Sequence, residues 1–268
     1  MKTTEKWNKM FLLGMTAKTT LVAMLAFSFF IVGCNSNDSA PEGRADPILG
    51  ESFTIKGQIY GYEFDDENYT IKYNELSVDE GAVTVVAPSP FTTLPIEAKV
   101  TDEDKGKFSV KIKTADEDEL VAASPKTLYD NFFALFGDDG LSSEKKITSL
   151  SPANANFGVL SLEADVDEYE AELRLGIESR KGDDTVWSGT NTVYTYVYVD
   201  TDVTIQGSEK STGGDTTTIT VDLALKKGWN VVEMLRKTDE KRSTNEVTIT
   251  YSVKGVLESA KWYLLPTP

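Results

Sequence analysis

The 268-residue sequence carries 27 Lys and Arg against 43 Asp and Glu, no histidine and one cysteine, for a formal net charge of −16 at pH 7. A chain this acidic repels nucleic acid and anionic lipid headgroups, so nucleic-acid binding is excluded. Without histidine there is no Ser–His–Asp triad and no His-ligated zinc, and a lone thiol makes no disulfide within the chain.

The first element is a secretory signal. Lys2, Lys6, Lys9 and Lys18 form a positive start offset only by Glu5, and residues 21–32 (LVAMLAFSFFIV) form an uncharged apolar run. That run is too short to span a hydrocarbon core, which needs about 20 apolar residues. Ile31-Val32-Gly33-Cys34 closes it and resembles the bacterial lipobox. The resemblance implies cleavage before Cys34, diacylglycerol on its thiol and acylation of the new N-terminus. Two or three acyl chains, at about 0.8 kcal/mol per buried methylene, anchor stably where one chain is marginal. The membrane partner is thus reached through lipid at Cys34, and loss of residues 1–33 leaves the mature chain still more acidic. Asn35, where Asp would favour inner-membrane retention, leans toward the outer membrane.

Residues 34–50 read as a flexible tether, because NSNDSAPEGRADPILG has few large apolar groups to bury. From Phe53 the apolar period becomes two, predicting strands near 53–61, 69–73, 82–87, 96–101 and 107–113 with Asp-, Gly- and Pro-rich turns between them. These make an N-terminal β-sandwich module over 51–115. A connector over 116–154 carries one amphipathic helix near 125–136: Ser124 caps it, Pro125 suits its first position and Gly137 its stop. Leu128, Phe132, Leu135 and Phe136 give that helix an apolar stripe. Strands resume at 157–164, 170–178, 190–199, 203–206, 216–225, 229–235, 245–253 and 260–265, a C-terminal antiparallel module over 155–268. The class is all-β: an antiparallel β-sandwich, as one large or two small modules, with one inserted helix.

Two regions carry further resemblances. Ile55-Lys56-Gly57-Gln58-Ile59, Ala82-Val83-Thr84-Val85 and the Asp104-Lys105-Gly106-Lys107-Phe108 turn together resemble the carboxypeptidase-regulatory or transthyretin-like sandwich over 52–114, implying a structural or binding module. The block from Thr218 to Val231 is similar to blocks in uncharacterised bacterial envelope lipoproteins. Acidic, double-sandwich chains also occur among lipoprotein fimbrial subunits, so a structural or assembly role is the alternative to binding.

For ligand contact the candidates are Tyr194, Tyr196 and Tyr198, which alternate with Val193, Val197 and Val199 on one strand, and Trp187 in a Gly/Asp/Ser-rich loop. With the valines in the core, the tyrosines would stand in a row on the outer face, suited to a sugar or a partner protein. The alternative is that a second layer covers them. Tyr60, Tyr62 and Phe64 repeat the pattern. Acidic pairs at Asp102/Asp104, Asp138/Asp139 with Glu144, and Asp200/Asp202 fall short of the six to eight oxygens calcium takes, and the run 116–119 reads as solvated charge, so no metal, no cofactor and no catalytic residue is assigned. The expectation is a lipid-anchored, non-enzymatic envelope protein that binds a glycan or another surface protein, with a carboxylate-pair glycosidase ranking below it.

Overall fold

The computed structural model describes residues 43–65, 70–75, 83–86, 96–97, 99–100, 107–115, 120–166, 169–182, 187–212, 215–241 and 244–264. Cys34 and its signal, the turn with Asp102 and Asp104, the run 116–119 and the side chains of Phe64 and Asp138 lie outside the described residues. In chain order the strands are β1 (Ile48–Gly50), β2 (Phe53–Asp65), β3 (Thr70–Glu75), β4 (Val83–Val86), β5 (Ile96–Glu97), β6 (Lys99–Val100), β7 (Lys107–Ile112) and β8 (Val121–Ala122). Helix α1 (Pro125–Asn131) follows, then β9 (Ile147–Ser151), β10 (Asn156–Val166), β11 (Tyr169–Gly182), β12 (Trp187–Val199), β13 (Val203–Thr212), β14 (Thr216–Leu225), β15 (Gly228–Lys241), β16 (Thr244–Val253) and β17 (Lys261–Leu264). The protein is all-β, as the alternation predicts. Its sheet is antiparallel except where β14 meets β16 and β17 meets β2. No helix among the described residues is long and apolar enough to cross a membrane.

Strand β12 is the axis of the fold. One edge pairs with β15 along its whole length, and the other pairs first with β11 and then with β10. Between Leu160 and Leu175 the β10–β11 hairpin leaves β12 and picks up β4 on one side and β17 on the other. From Thr192 onward both faces of β12 are largely buried, and each faces its own hydrophobic cluster. The tyrosine face packs under Phe53, Ile55, Phe108 and Val110 of β2 and β7, together with Trp229 and Trp262. The valine face packs against β13, β14 and β16 and under Leu128, Phe132 and Phe133. The segments expected as separate modules therefore share the first cluster, and β17 lies between β2 and β11. Burial of each large apolar side chain there contributes about 1.5–3 kcal/mol.

Helix α1 starts where the sequence places it. Thr127 N donates to Ser124 Oγ at 3.1 Å and Ser124 N donates to Thr127 Oγ1 at 2.9 Å, a reciprocal cap with Pro125 at the first position. It ends sooner than the stripe implies, at Asn131, and the chain tightens into a 3₁₀ segment, Phe133–Asp139, that runs through Gly137. A three-residue turn puts Phe133 and Phe136 on one side, and both rings meet Tyr251, at 5.2 and 5.1 Å between centroids.

Residues 43–50, expected as part of the tether, belong to the fold. From Gly43 the chain is docked: Ala45 N donates to Val256 O at 3.1 Å, Val231 N donates to Pro47 O at 2.7 Å, and Leu49 is buried in the first cluster. β1 takes the edge of β15 at Trp229 and Asn230, just past the point where β16 stops pairing at Val232. Eight residues, 43–50, with one buried leucine can dock here because an open strand edge supplies their backbone hydrogen bonds.

Candidate functional site

The expected binding row is core. Tyr194, Tyr196 and Tyr198 are 4%, 7% and 4% exposed. Tyr196 lies 5.1 Å from the Phe53 ring and stacks on Trp262, and Tyr198 packs edge-on against Trp229. The cover is the β2–β7 layer, while α1 sits on the valine face. These tyrosines therefore present no ligand surface. Trp187 is half-buried at the start of β12 and folds back onto the sheet, with the Arg180 guanidinium 4.0 Å above its ring. Of the acidic pairs, the described Asp139, Asp200 and Asp202 are engaged by the protein itself. Asp200 accepts from Asn156 N and Nδ2, Asp202 from Lys226 Nζ and Lys227 N, and Asp139 from Arg236. Among the described residues no group of three or more His, Cys, Asp or Glu could hold a metal ion.

What the topology does assemble is a polar row on the valine-side face, beyond the second cluster. Glu178 on β11 pairs across to Asn191 on β12, which pairs across to Arg236 on β15. Directly paired side chains on one face stand about 4.5–5.5 Å apart at Cβ, so the three form one line over three strands. Tyr62 Oη donates to Glu178 Oε2 at 3.2 Å, and Tyr73 Oη accepts from Glu178 N at 2.9 Å. Tyr62, Tyr73 and Tyr263 pack on each other at 5.6–6.2 Å and form the wall on the β2–β3 side. On the other side Asp139, at the end of the 3₁₀ segment, holds Arg236 Nη1 at 2.5 Å. Glu178, Asn191, Tyr62 and Tyr73 are all half-buried, and Arg236 is 37% exposed, so the row is open to solvent from above.

Its electrostatics differ from the rest of the molecule. Burial pushes the Glu178 carboxyl above the usual range, and the Tyr62 hydrogen bond with Arg180 and Arg236 only partly offsets it; Asp139 pushes it further up. Burial, then Glu178, drives the Tyr62 hydroxyl well up, so it stays a neutral donor. Around Asn191 two guanidiniums, Arg180 and Arg236, balance two carboxylates, Glu178 and Asp139. Asn191 Oδ1 itself is buried, and no described residue donates to it. Beside the row, under Leu135 and Phe136, an apolar cleft of about 50 Å³ runs toward Leu175, Tyr194 and Trp262. It has room for a few waters at most and is too small for a ligand.

A second charged centre is closed. The Glu233 side chain is 1% exposed, with Arg44 Nη1 at 2.6 Å, Lys254 Nζ at 3.0 Å and Tyr194 Oη at 3.1 Å. Burial pushes its pKa up, but the hydrogen bonds from Arg44 and Lys254 outweigh it and hold the carboxyl below its ordinary range. Burial and Glu233 raise the Tyr194 hydroxyl to about 12. This centre has no room for a substrate and serves to fix the N-terminal arm.

Comparison with family models, curated proteins and solved structures finds no match. The functional assignment therefore rests on the residues. Of those residues the sequence singled out Tyr62 and, within an acidic pair weighed for calcium, Asp139, but missed Glu178, Asn191, Tyr73 and Arg236. A signal was present: Arg174, Glu178 and Arg180 recur at even spacing on one strand, and three of the chain's five arginines (174, 180 and 236) fall on two strands that flank β12.

Proposed function

We propose that this is a lipid-anchored protein of the bacterial envelope that binds a glycan or another surface protein through the Tyr62–Glu178–Asn191–Arg236 row. The observation that carries the binding half is the half-buried row itself. Aromatic, acidic and guanidinium groups converge on rigid strands around an acceptor to which no described residue donates. Buried polar groups are almost always hydrogen-bonded, so an orphan acceptor beside an aromatic wall marks a place for a donor from outside. The Ile31–Cys34 sequence supports the anchor, and the docked arm from residue 43 leaves a short lead between anchor and body.

Two measurements test this reading. In a Gram-negative host the intact chain fractionates with membranes and Cys34→Ser does not; retention of Cys34→Ser in the membrane would refute the lipid anchor. Residues 34–268 with Cys34→Ser, which keep every described residue, are then applied to a glycan array, where silence removes the carbohydrate version and leaves the protein version. One observation also favours a hydrolase: a carboxyl raised by burial and a second carboxylate, Asp139, border the same row. Release of nitrophenol from nitrophenyl glycosides, abolished in Glu178→Gln, is the result that would support it.

A further inference from the structure

The row deepens that reading by naming the ligand class. We infer that Glu178, Asn191 and Arg236, walled by Tyr62 and Tyr73, form a subsite for one uncharged sugar ring, with neighbouring hydroxyls donating to Glu178 and Asn191 Oδ1 and accepting from Arg236. Three observations lead there.

The first is the orphan acceptor. Asn191 Oδ1 is buried with no donor among the described residues, on a residue whose register sets it between Glu178 and Arg236. The second is the balance of charge. In a chain of net charge −16 the groups around Asn191 alternate in sign, Arg180 and Arg236 against Glu178 and Asp139. A lysine or arginine from a partner protein would meet the guanidiniums, and a carboxylate would meet Glu178 and Asp139. A hydroxyl is both donor and acceptor, so a polyol satisfies both signs at once. Arg236 has five N–H groups, and its bond to Asp139 uses one. The third is dimension and wall. From Glu178 to Arg236 is two strand spacings, about 9.5 Å, comparable to one ring with its substituents. Tyr62 and Tyr73 stand along one side, and the Trp187–Arg180 pair lies two residues along β11. Aromatic flanks suit the C–H faces of a sugar, and Tyr62 is already held by Glu178.

The inference rests on the proposed binding role. Its test uses residues 34–268 with Cys34→Ser, presented with methyl glycosides of glucose, galactose, mannose and N-acetylglucosamine, and with methyl glucuronide, in ligand-observed NMR. At least one neutral glycoside should show transfer from the protein and bind more tightly than the glucuronide. Asn191→Leu and Glu178→Gln should each weaken it by about 10- to 100-fold, the effect of leaving a hydrogen-bonding group unpaired. Both variants should melt at or above the temperature of the parent, since no described residue donates to Asn191 Oδ1 and the burial of the Glu178 carboxyl is only partly offset. A residue with a merely structural role would instead lower the melting temperature. Should Asn191→Leu fail to fold, Glu178→Gln and Tyr62→Phe carry the test. Unchanged sugar binding in the variants overturns the subsite and leaves the glycan reading standing. A preference for the glucuronide overturns the uncharged-ring inference in favour of an acidic sugar, and silence with every glycoside overturns it and leaves a surface-protein partner for the row.

Discussion

Replacing Arg44 with alanine removes the principal counter-ion of a carboxylate that is 1% exposed. The guanidinium donates to Glu233 Oε2 at 2.6 Å and to Gly255 O at 2.9 Å, so two acceptors lose a donor together. Losing one member of a buried pair costs about 3–5 kcal/mol when the survivor is left alone. Glu233 is not left alone: Lys254 still reaches Oε1 at 3.0 Å from a side chain 43% exposed, and Tyr194 still donates at 3.1 Å. The expected loss is therefore about 2–3 kcal/mol, falling to about 1 kcal/mol in a Glu233→Gln background where no charge remains to be stranded. The pH dependence has a definite sign. The folded pKa of Glu233 is lowered, so its contribution is present above the unfolded value of about 4.3 and is lost as pH falls through the folded value. The Arg44→Ala penalty should shrink in acid. Urea unfolding of residues 34–268 with Cys34→Ser, at neutral pH and at about pH 3, measures all of this. A neutral-pH loss below about 0.5 kcal/mol, or an equal loss with and without Glu233→Gln, would refute the clamp.

Three other outcomes follow from the same structure. In Gly255→Ala the new Cβ would lie 1.5 Å from Ala45 O; the arm must leave, at about 2–4 kcal/mol, and limited proteolysis should then cut before residue 50. Tyr196→Ala should cost about 3–5 kcal/mol in the same urea assay, as for a large aromatic in a packed core, whereas a loss under about 1 kcal/mol would contradict its burial. Glu178 has the opposite sign to Glu233: its folded pKa is raised by burial, so its contribution is full below about 4.3 and is lost as pH rises through the folded value. Glu178→Gln should accordingly be more stable than the parent at neutral pH and lose that advantage in acid, and equal curves at both pH values would remove the desolvation argument.

Local chemistry settled a good deal of this molecule. The two-residue period of Phe53, Ile55, Gly57 and Ile59 and the Val/Tyr alternation of residues 193–199 are strands because successive side chains must point to opposite faces, and they appear as β2 and β12. The Ser124-Pro125 start of α1 is equally local: a hydroxyl and a fixed φ are enough to begin a helix there. The helix end was less so, because Phe133 and Phe136 wind tighter to reach Tyr251, which lies more than a hundred residues further on.

Which face of a strand is wet is not a property of the strand. The tyrosines of β12 were one layer short of being a binding row, and that layer comes from β2 and β7. Likewise residues 43–50 carry too little apolar surface to fold alone, and they dock because β15 has an open edge and buried Glu233 takes Arg44 as a counter-ion beside Lys254. The candidate site shows the same division. Each of Glu178, Asn191 and Arg236 is an ordinary polar residue in its own segment, and nothing in their spacing links them. Cross-strand register links them, and register is decided by how three strands bury their other residues together. Sequence alone could determine the alternation, the cap and the chemistry available to a chain with no histidine. The tertiary structure decided which aromatic groups face solvent and which polar groups meet, because burial and convergence are properties of neighbours distant in the chain.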